Sequence, residues 1–287
     1  VFASGAAARA AAPLTARQRA FGIPVEELGP GELRALEPAL GPRAAAGALY
    51  PTGCHVADPL ALVRDLERLA RERGARFVAA RAASVAPEGA RVAVALTSGE
   101  RLDAEACMLA AGAWSRPLAA SLGDPVPLDT ERGYNLTFPA GTLGLTRPVA
   151  FEGEGFVTTP LDSGDRLGGA VEFAGLEAAP NHARSAAMLA RLRGFLPGLP
   201  AALPEARRWM GFRPSLPDSL PVIGPSRRSG RVVYAFGHAH HGLTQAAATA
   251  EIVADLLDGR RPAVDPAPYS AARFRWRAAA STPGRSP

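Results

Sequence analysis

The spacing of apolar residues near the N-terminal end predicts helices. Residues 14–40 predict two short helices, the first capped by Thr15. A longer amphipathic helix is predicted after Asp58, a good N-cap residue that is followed by proline at the first helical position. Gly74 ends this helix. The apolar residues on one face of it are Leu60, Val63, Leu66, Leu69 and Ala70.

After Gly74 the spacing of apolar residues changes from the helical period to the alternation that is typical of strands. Residues 75–80 alternate in this way, and residues 91–102 form a hairpin pattern with its turn at Ser98 and Gly99. Residues 105–115 are an apolar run that leads into a glycine turn, which predicts a buried strand followed by a short helix.

The middle of the chain has a different texture. Residues 125–175 are rich in Gly, Thr and Pro and contain short alternating runs, which predict an antiparallel sheet with tight turns. A helix over 183–195 and a strand over 207–213 follow. Finally, a strand at 231–236, a turn at 237–242 and a helix at 243–257 form a further strand–helix unit. The order predicts an α/β nucleotide-binding type of sheet with an α+β insert.

Charge and cysteine content exclude several classes of protein. The 287 residues carry a formal charge of +5, but all 32 basic residues are Arg and are interspersed with 27 acidic residues. Without a basic block, we expect no nucleic-acid partner. Two cysteines, Cys54 and Cys107, are too few for a disulfide framework. No apolar run of about 18 residues is present. We expect a cytoplasmic protein, with a peripheral location at the inner membrane as the alternative.

The segment 234–245 carries the strongest chemical signal. Its strand ends in a turn rich in Gly and His that opens a helix, so backbone N–H groups and the positive helix end face a bound anion or an electron-rich ring. An ordinary turn, whose glycines serve geometry alone, is an equal alternative. A metal site formed by His238, His240 and His241 is a weaker one, because no Cys or H-E-x-x-H pattern accompanies them.

Two further segments are candidates for ligand contacts. Arg213 lies in G-F-R-P on a predicted inner strand, where a buried guanidinium needs an anion; a substrate carboxylate or a structural salt bridge to Asp218 would supply it. The small residues of 108–115 let a cofactor approach the backbone closely, a signal that many α/β turns share.

Six segments together resemble one family. HVADPLALVRDLERLARERGARF, MLAAGAWS, ERGYNLTF, RLGGAVEFAG, WMGFRPSLPDSLPVIG and YAFGHAHHGLTQAAATAEIVADLL occur in the order found in the D-amino-acid oxidase-like flavoproteins. The last two are most similar to the D-amino-acid dehydrogenase branch. The resemblance covers residues 20–275 and implies FAD as cofactor. It implies a Rossmann-like FAD/NAD(P)-binding domain, incomplete here, over 14–124 and 207–275, an antiparallel-sheet substrate domain over 125–206, and a disordered tail over 276–287.

The resemblance also implies roles for individual residues. Arg213 would pair with the substrate carboxylate, and Tyr134 would line the substrate pocket. The flavin's pyrimidine edge would lie along the turn 237–244, and the adenosine side would contact Val85 and the turn after the 105–109 run. The implied cofactor-binding residues are Val85, Ala111, Gly112, Ala113, Gly237, His238, His240, His241, Gly242, Leu243 and Thr244.

One departure from the family pattern stands out. The family begins with a strand, G-x-G-x-x-G and a helix that hold the FAD pyrophosphate, and this chain contains no such element. We therefore expect that roughly a hundred or more residues precede it. The implied activity is oxidation of the CH–NH bond of a D-amino acid or a small secondary-amine acid. Oxygen, a quinone and a partner protein remain open as electron acceptors. A non-catalytic ligand-binding fragment and a histidine-based metal protein are the rival functions.

Overall fold

The computed structural model describes residues 1–274, so the predicted tail 276–287 lies outside the described residues. The helices are α1 Gly5–Ala20, α2 Pro30–Leu36, α3 Pro59–Glu72, α4 Ser115–Ser121, α5 Ala183–Phe195 and α6 Gly242–Leu257. The strands are β1 Glu26–Leu28, β2 Gly47–Leu49, β3 Ala82–Glu88, β4 Arg91–Leu96, β5 Arg101–Ala104, β6 Cys107–Leu109, β7 Asp129–Phe138, β8 Val149–Phe151, β9 Phe156–Leu161, β10 Gly164–Glu172, β11 Arg207–Ser215, β12 Val222–Pro225 and β13 Val232–Phe236.

Contacts divide the chain into two compact units that differ from the predicted domain boundaries. Unit one comprises Val1–Phe77, Arg132–Glu172 and Glu177–Gly211. Unit two comprises Val78–Glu131, Phe173–Leu176 and the chain from Phe212 onward. The predicted assignment of residues 14–77 to the same domain as the later strand–helix units is therefore not followed. Within unit one, Leu33 of α2 lies in the same apolar cluster as the sheet residues Leu136 and Phe138. The sheet-containing segments of this unit are Arg132–Glu172 and Glu177–Gly211, so they begin and end several residues later than 125 and 206.

Unit one is built on a five-stranded sheet in the order β11-β7-β10-β9-β8. The pairs β7/β10, β9/β10 and β8/β9 are antiparallel, as the alternating runs predict. Helix α5 has the predicted bounds and buries Met188, Leu192 and Phe195 in an apolar cluster with sheet residues such as Leu136 and Phe138.

The first helix is longer than predicted, and its cap is a different residue. It begins at Gly5, where the Ser4 hydroxyl accepts a hydrogen bond from the Ala7 N–H at 3.1 Å. Thr15 is not a cap but is buried inside the helix, where its hydroxyl donates to the Ala11 carbonyl. The alanine-rich segment explains the difference, because alanine is the strongest helix former.

The amphipathic helix α3 has the predicted start. The Asp58 carboxylate accepts hydrogen bonds from the Leu60 and Ala61 N–H groups at 2.8 and 3.1 Å. Within the described residues its apolar face is open to solvent, since Leu60, Val63 and Leu66 are each more than half exposed.

The predicted strand over 75–80 is absent: these residues have no regular structure. Alternation alone does not make a strand when no neighbouring strand pairs with it. Phe77 and Val78 are half exposed, and β3 begins only at Ala82.

Unit two contains two three-stranded sheets. The strands β3, β4 and β5 form an antiparallel sheet, with the predicted turn between β4 and β5. The other sheet has the order β12-β13-β6, in which β13 is antiparallel to β12 and parallel to β6. Helix α6 follows β13 and buries Ile252 and Val253 against Ile223 and Val233. No helix in residues 1–274 is long and apolar enough to cross a membrane.

Candidate active site

Two turns of unit two meet at one edge of the sheet. The strands β6 and β13 are parallel, with Cys107 opposite Val232 and Leu109 opposite Tyr234. Their carboxyl ends therefore lie side by side, and each is followed directly by a glycine turn. The carboxyl edge of parallel strands is the usual ligand site of open α/β sheets. The predicted cofactor turns 111–113 and 237–244 are thus brought together.

The turn after β6 presents open backbone. A single 3₁₀ turn, Gly112–Trp114, follows Ala111, and Gly112 has a φ of +55°, which favours glycine. A Cβ atom added at Gly112 would meet no atom within 4 Å. Ala113 is buried. A flat ligand therefore has room to approach the main chain at this turn.

The turn after β13 is held in an unusual conformation. Gly237 and Ala239 both have left-handed φ angles, +87° and +46°. A Cβ atom at Gly237 would lie 2.6 Å from Leu216 Cδ1, so the close approach requires glycine. The Ala239 N–H donates to the Pro214 carbonyl at 2.8 Å. This bond places the turn beside the end of β11, one residue from Arg213.

Helix α6 begins without a side-chain cap. Its N-cap residue His241 makes no capping hydrogen bond, and the first turn contains no acidic residue. The first N–H groups of a helix have no intrahelical acceptor, and the helix dipole adds partial positive charge there. The start of α6, at Gly242, Leu243 and Thr244, is therefore suited to an anion or an electron-rich ring.

The three histidines of the turn have separate surroundings. His238 Nε2 lies 3.0 Å from Thr249 Oγ1, and burial lowers the pKa of His238, which favours its neutral form. His240 Nε2 lies 2.7 Å from Glu131 Oε2. Among the residues that the structure describes, no group of three His, Cys, Asp or Glu side chains is arranged to hold a metal ion. The geometry therefore gives no support to the metal alternative.

Arg213 is half-buried near the end of β11. Burial lowers its pKa, and the charge of Glu131 acts in the opposite direction. The Asp218 carboxylate, the structural partner considered for Arg213 in the sequence, is engaged by Arg273, with Oδ2 2.7 Å from Nε.

Val85 lies on β3 and belongs to the apolar cluster of unit two. It is 5% exposed and packs in the same cluster as Leu109 and Phe236, with Ala111 against it. The structure therefore brings Val85 and the turn after β6 into one region, and the predicted contact with adenosine stays a prediction.

Tyr134 lies in unit one and is fully buried there. Its hydroxyl donates to the Glu172 carboxylate and accepts from the Asn181 N–H at 3.0 Å. The hydrogen bond from Tyr134 is the main cause of a lowered pKa at Glu172. These contacts anchor the loop before α5 to the sheet, and a place for Tyr134 in a substrate pocket stays a prediction.

Glu131 is the residue of this region that the sequence did not indicate. It contacts His240 and acts electrostatically on Arg213, although 109 positions separate it from His240. A single acidic residue at the start of a strand has no distinguishing pattern. Its neighbours become apparent only in the folded chain, where Glu131 of β7 contacts the turn after β13.

Comparison with known proteins identifies the family of this chain. The family described as "DAO: FAD dependent oxidoreductase" matches residues 1–256. The chain is 39% identical over 259 residues to a D-amino-acid oxidase of Bradyrhizobium diazoefficiens and 31% identical over 267 residues to a D-amino acid dehydrogenase of the same organism. Each match covers 90% of this chain and 62% of the relative, so the chain spans less than two thirds of their length.

A solved structure gives the same assignment. Glycine oxidase from Geobacillus kaustophilus superposes with a TM-score of 0.85 at 26% identity, covering 96% of this chain and 74% of that protein. The resemblance found in the sequence is confirmed. The chain belongs to the DAO family of FAD-dependent oxidoreductases.

Proposed function

We propose that this chain forms the substrate-binding part and one side of the flavin site of an oxidoreductase that oxidises the CH–NH bond of an amino acid. The main supporting observation is the shared edge of β6 and β13. There the two glycine turns, the uncapped start of α6 and Arg213 all belong to unit two.

The residues at this edge fit FAD. The start of α6 would face the flavin's pyrimidine edge, where reduction increases negative charge that a helix N-terminus stabilises. The open backbone at Gly112 would take the adenosine side. When bound, FAD supplies the acceptor for the hydride that leaves the substrate's α-carbon. No pyrophosphate-binding glycine loop occurs in this chain, so that part of the cofactor needs residues from elsewhere.

Arg213 is proposed to bind the substrate carboxylate. Its planar guanidinium offers two parallel N–H donors that match a carboxylate. Fixing the carboxylate sets the direction of the α-carbon, and such positioning supplies much of the rate in reactions of this kind. Loss of the hydride from the α-carbon and of a proton from nitrogen to water converts the amine to an imine. Water hydrolyses this imine to a keto acid and ammonia, or to a keto acid and an amine when the substrate is a secondary-amine acid.

The names of the relatives support a D-amino acid as the substrate, since the matched relatives include a D-amino-acid oxidase and D-amino acid dehydrogenases. A small secondary-amine acid is the second candidate. The proposed location is the cytoplasm or the surface of the inner membrane, which cell fractionation decides.

The test uses residues 1–287 fused behind the N-terminal segment of the Bradyrhizobium D-amino-acid oxidase that precedes its matched region. We call this fusion the joined protein. Expected results are copurifying flavin and reduction of an artificial electron acceptor by D-amino acids. Repeating the assay with oxygen and with a quinone identifies the acceptor class. A folded joined protein that contains no flavin would favour the non-catalytic binding fragment instead.

A further inference from the structure

Unit one contains a cavity that shares no residue with the edge described above. Its volume is about 820 Å³, within the range of small-molecule sites. One wall is helix α5, another is the sheet through Leu136 and Phe138, and the segment 201–208 forms the third. All of these residues belong to unit one.

The cavity has an apolar floor and a basic rim. Leu136 and Phe138 are nearly fully buried beneath it. Its charged lining residues are three arginines and one acid: Arg193, Arg207, Arg208 and Glu205.

The arginines of the rim are not equivalent. Arg193 donates to the Pro200 and Ala201 carbonyls at 2.8 and 2.9 Å, which fixes the third wall. Arg207 and Arg208 are exposed and form no ion pair with another described residue. The excess positive charge therefore lies at the mouth of the cavity.

Two polar atoms in the wall beside the cavity are buried without a hydrogen-bond partner among the described residues. Ser185 is 1% exposed, and its Oγ has no hydrogen-bond partner among the described residues. The Nδ1 atom of His182 is also buried without a partner. Both residues line the cavity, and they lie three positions apart on the same side of the start of α5. Unpaired buried polar atoms cost free energy, so the start of α5 is the least satisfied part of this wall.

We propose that this cavity binds a small organic acid with an apolar chain. The carboxylate would meet Arg207 and Arg208 at the mouth, and the chain would lie on Leu136 and Phe138. An apolar floor of this kind disfavours a fully hydrated anion such as inorganic phosphate.

The test is calorimetric titration of hexanoate into the joined protein. Saturable binding is expected, and 1-hexanol and inorganic phosphate should each bind more weakly, by about tenfold or more. Ala186→Trp places a large side chain in the cavity from an exposed position of α5 and is expected to weaken hexanoate binding by about tenfold or more. Ala190→Trp, also exposed on α5 but outside the cavity, is the matched control and should have no effect.

A second pair of variants tests the charge. Arg207→Ala combined with Arg208→Ala should weaken hexanoate binding by about tenfold or more. Arg191, an exposed arginine of helix α5, lies outside this cavity, and Arg191→Ala should leave hexanoate binding unchanged. Arg213→Ala should leave hexanoate binding unchanged. Undetectable binding, or binding that survives Ala186→Trp, would overturn the proposal. Binding lost only in Arg213→Ala would place the acid at the other site, overturning this proposal while supporting the proposed function.

Discussion

Arg213 is the residue on which the proposed substrate recognition depends. We expect Arg213→Ala in the joined protein to lower kcat/KM. The decrease should correspond to a loss of about 2–4 kcal/mol in transition-state stabilisation, the scale of a lost charge-paired hydrogen bond. Most of the loss should be in KM, while the flavin content stays the same, because the arginine is assigned to the substrate. Steady-state kinetics with flavin absorbance measure both. Arg213→Lys keeps the charge but loses the planar guanidinium, so its kcat/KM should lie between those of the unmodified protein and Arg213→Ala. An unchanged KM would remove Arg213 from the site.

His238 gives a prediction about pH. Burial lowers its pKa below the usual value of about 6.5, so below that pH the unfolded chain takes up a proton more readily than the folded chain. The contribution of this residue to stability is therefore complete above about pH 6.5 and is lost as the pH falls towards the lower, folded-state pKa.

Replacing His238 by Gln should reduce this pH dependence. Chemical denaturation at several pH values between about 5 and 8 measures the slope of stability against pH. The variant is expected to have a shallower slope than the unmodified chain. Equal slopes in the two proteins would contradict the assignment of a half-buried, neutral His238.

At the scale of residues, the sequence indicated types of chemistry better than partners. Arg213 and the glycines of the turn could be proposed as site residues because their patterns are local. The Glu131–His240 contact and the Asp218–Arg273 pair were not, because each joins segments far apart in the sequence and depends on how the chain folds.

The strand–turn–helix formed by β13, the turn 237–241 and α6 is the central element of the site. The two glycines of this element, Gly237 and Gly242, have different structural requirements. At Gly237 the φ angle and Leu216 require glycine for folding. At Gly242 an added Cβ would make only an ordinary contact of 3.6 Å with His238 Cβ, so the protein itself tolerates a side chain there.

We therefore expect Gly242→Val to separate cofactor binding from folding. The variant of the joined protein should melt within a few degrees of the unmodified protein but retain little flavin, because the branched side chain lies where the ring approaches the backbone. Gly237→Val should lower the melting temperature strongly. Thermal melts and flavin absorbance check both variants. Full flavin content in a folded Gly242→Val protein would mean that the ring does not lie against this helix start.

The elements that the sequence predicted well have strong local signals. The start of α3 has a capping Asp followed by Pro, and the 91–102 hairpin has a Gly99 turn with a φ of +90°. The extent of α1 and the lack of a strand at 75–80 were not predictable in this way. The first depends on the helix propensity of a long alanine-rich segment, and the second on whether a partner strand exists.

At the scale of the whole molecule, this chain supplies only part of what an FAD site needs. It has the turn that we propose faces the flavin but no glycine loop for the pyrophosphate. Its exposed apolar residues include Leu60, Val63, Leu66, Met108 and Leu243. Exposed apolar surface of this kind favours association. We expect residues 1–287 alone to bind FAD weakly, to show no turnover and to aggregate at lower concentration than the joined protein. Dialysis against FAD, followed by absorbance and light scattering, measures this. Stoichiometric flavin in the chain alone would contradict it.

The division into two units was the part of the whole-molecule picture that the sequence described least well. Composition separates the Gly- and Thr-rich sheet from its neighbours, but it does not show that residues 14–77 belong to the same unit as that sheet. Which unit a helix joins depends on long-range contacts, and local patterns do not encode them.

The central claim is that the edge of β6 and β13, with Arg213, forms the flavin and substrate site of an amino-acid oxidoreductase. Anaerobic addition of a D-amino acid to the joined protein, followed by its flavin absorbance, tests this most directly. The account predicts that the flavin is bleached, that Arg213→Ala needs a much higher amino-acid concentration for the same bleaching, and that Arg191→Ala behaves like the unmodified protein. Bound flavin that no D-amino acid or secondary-amine acid reduces, or bleaching that is unaffected by Arg213→Ala, would contradict it.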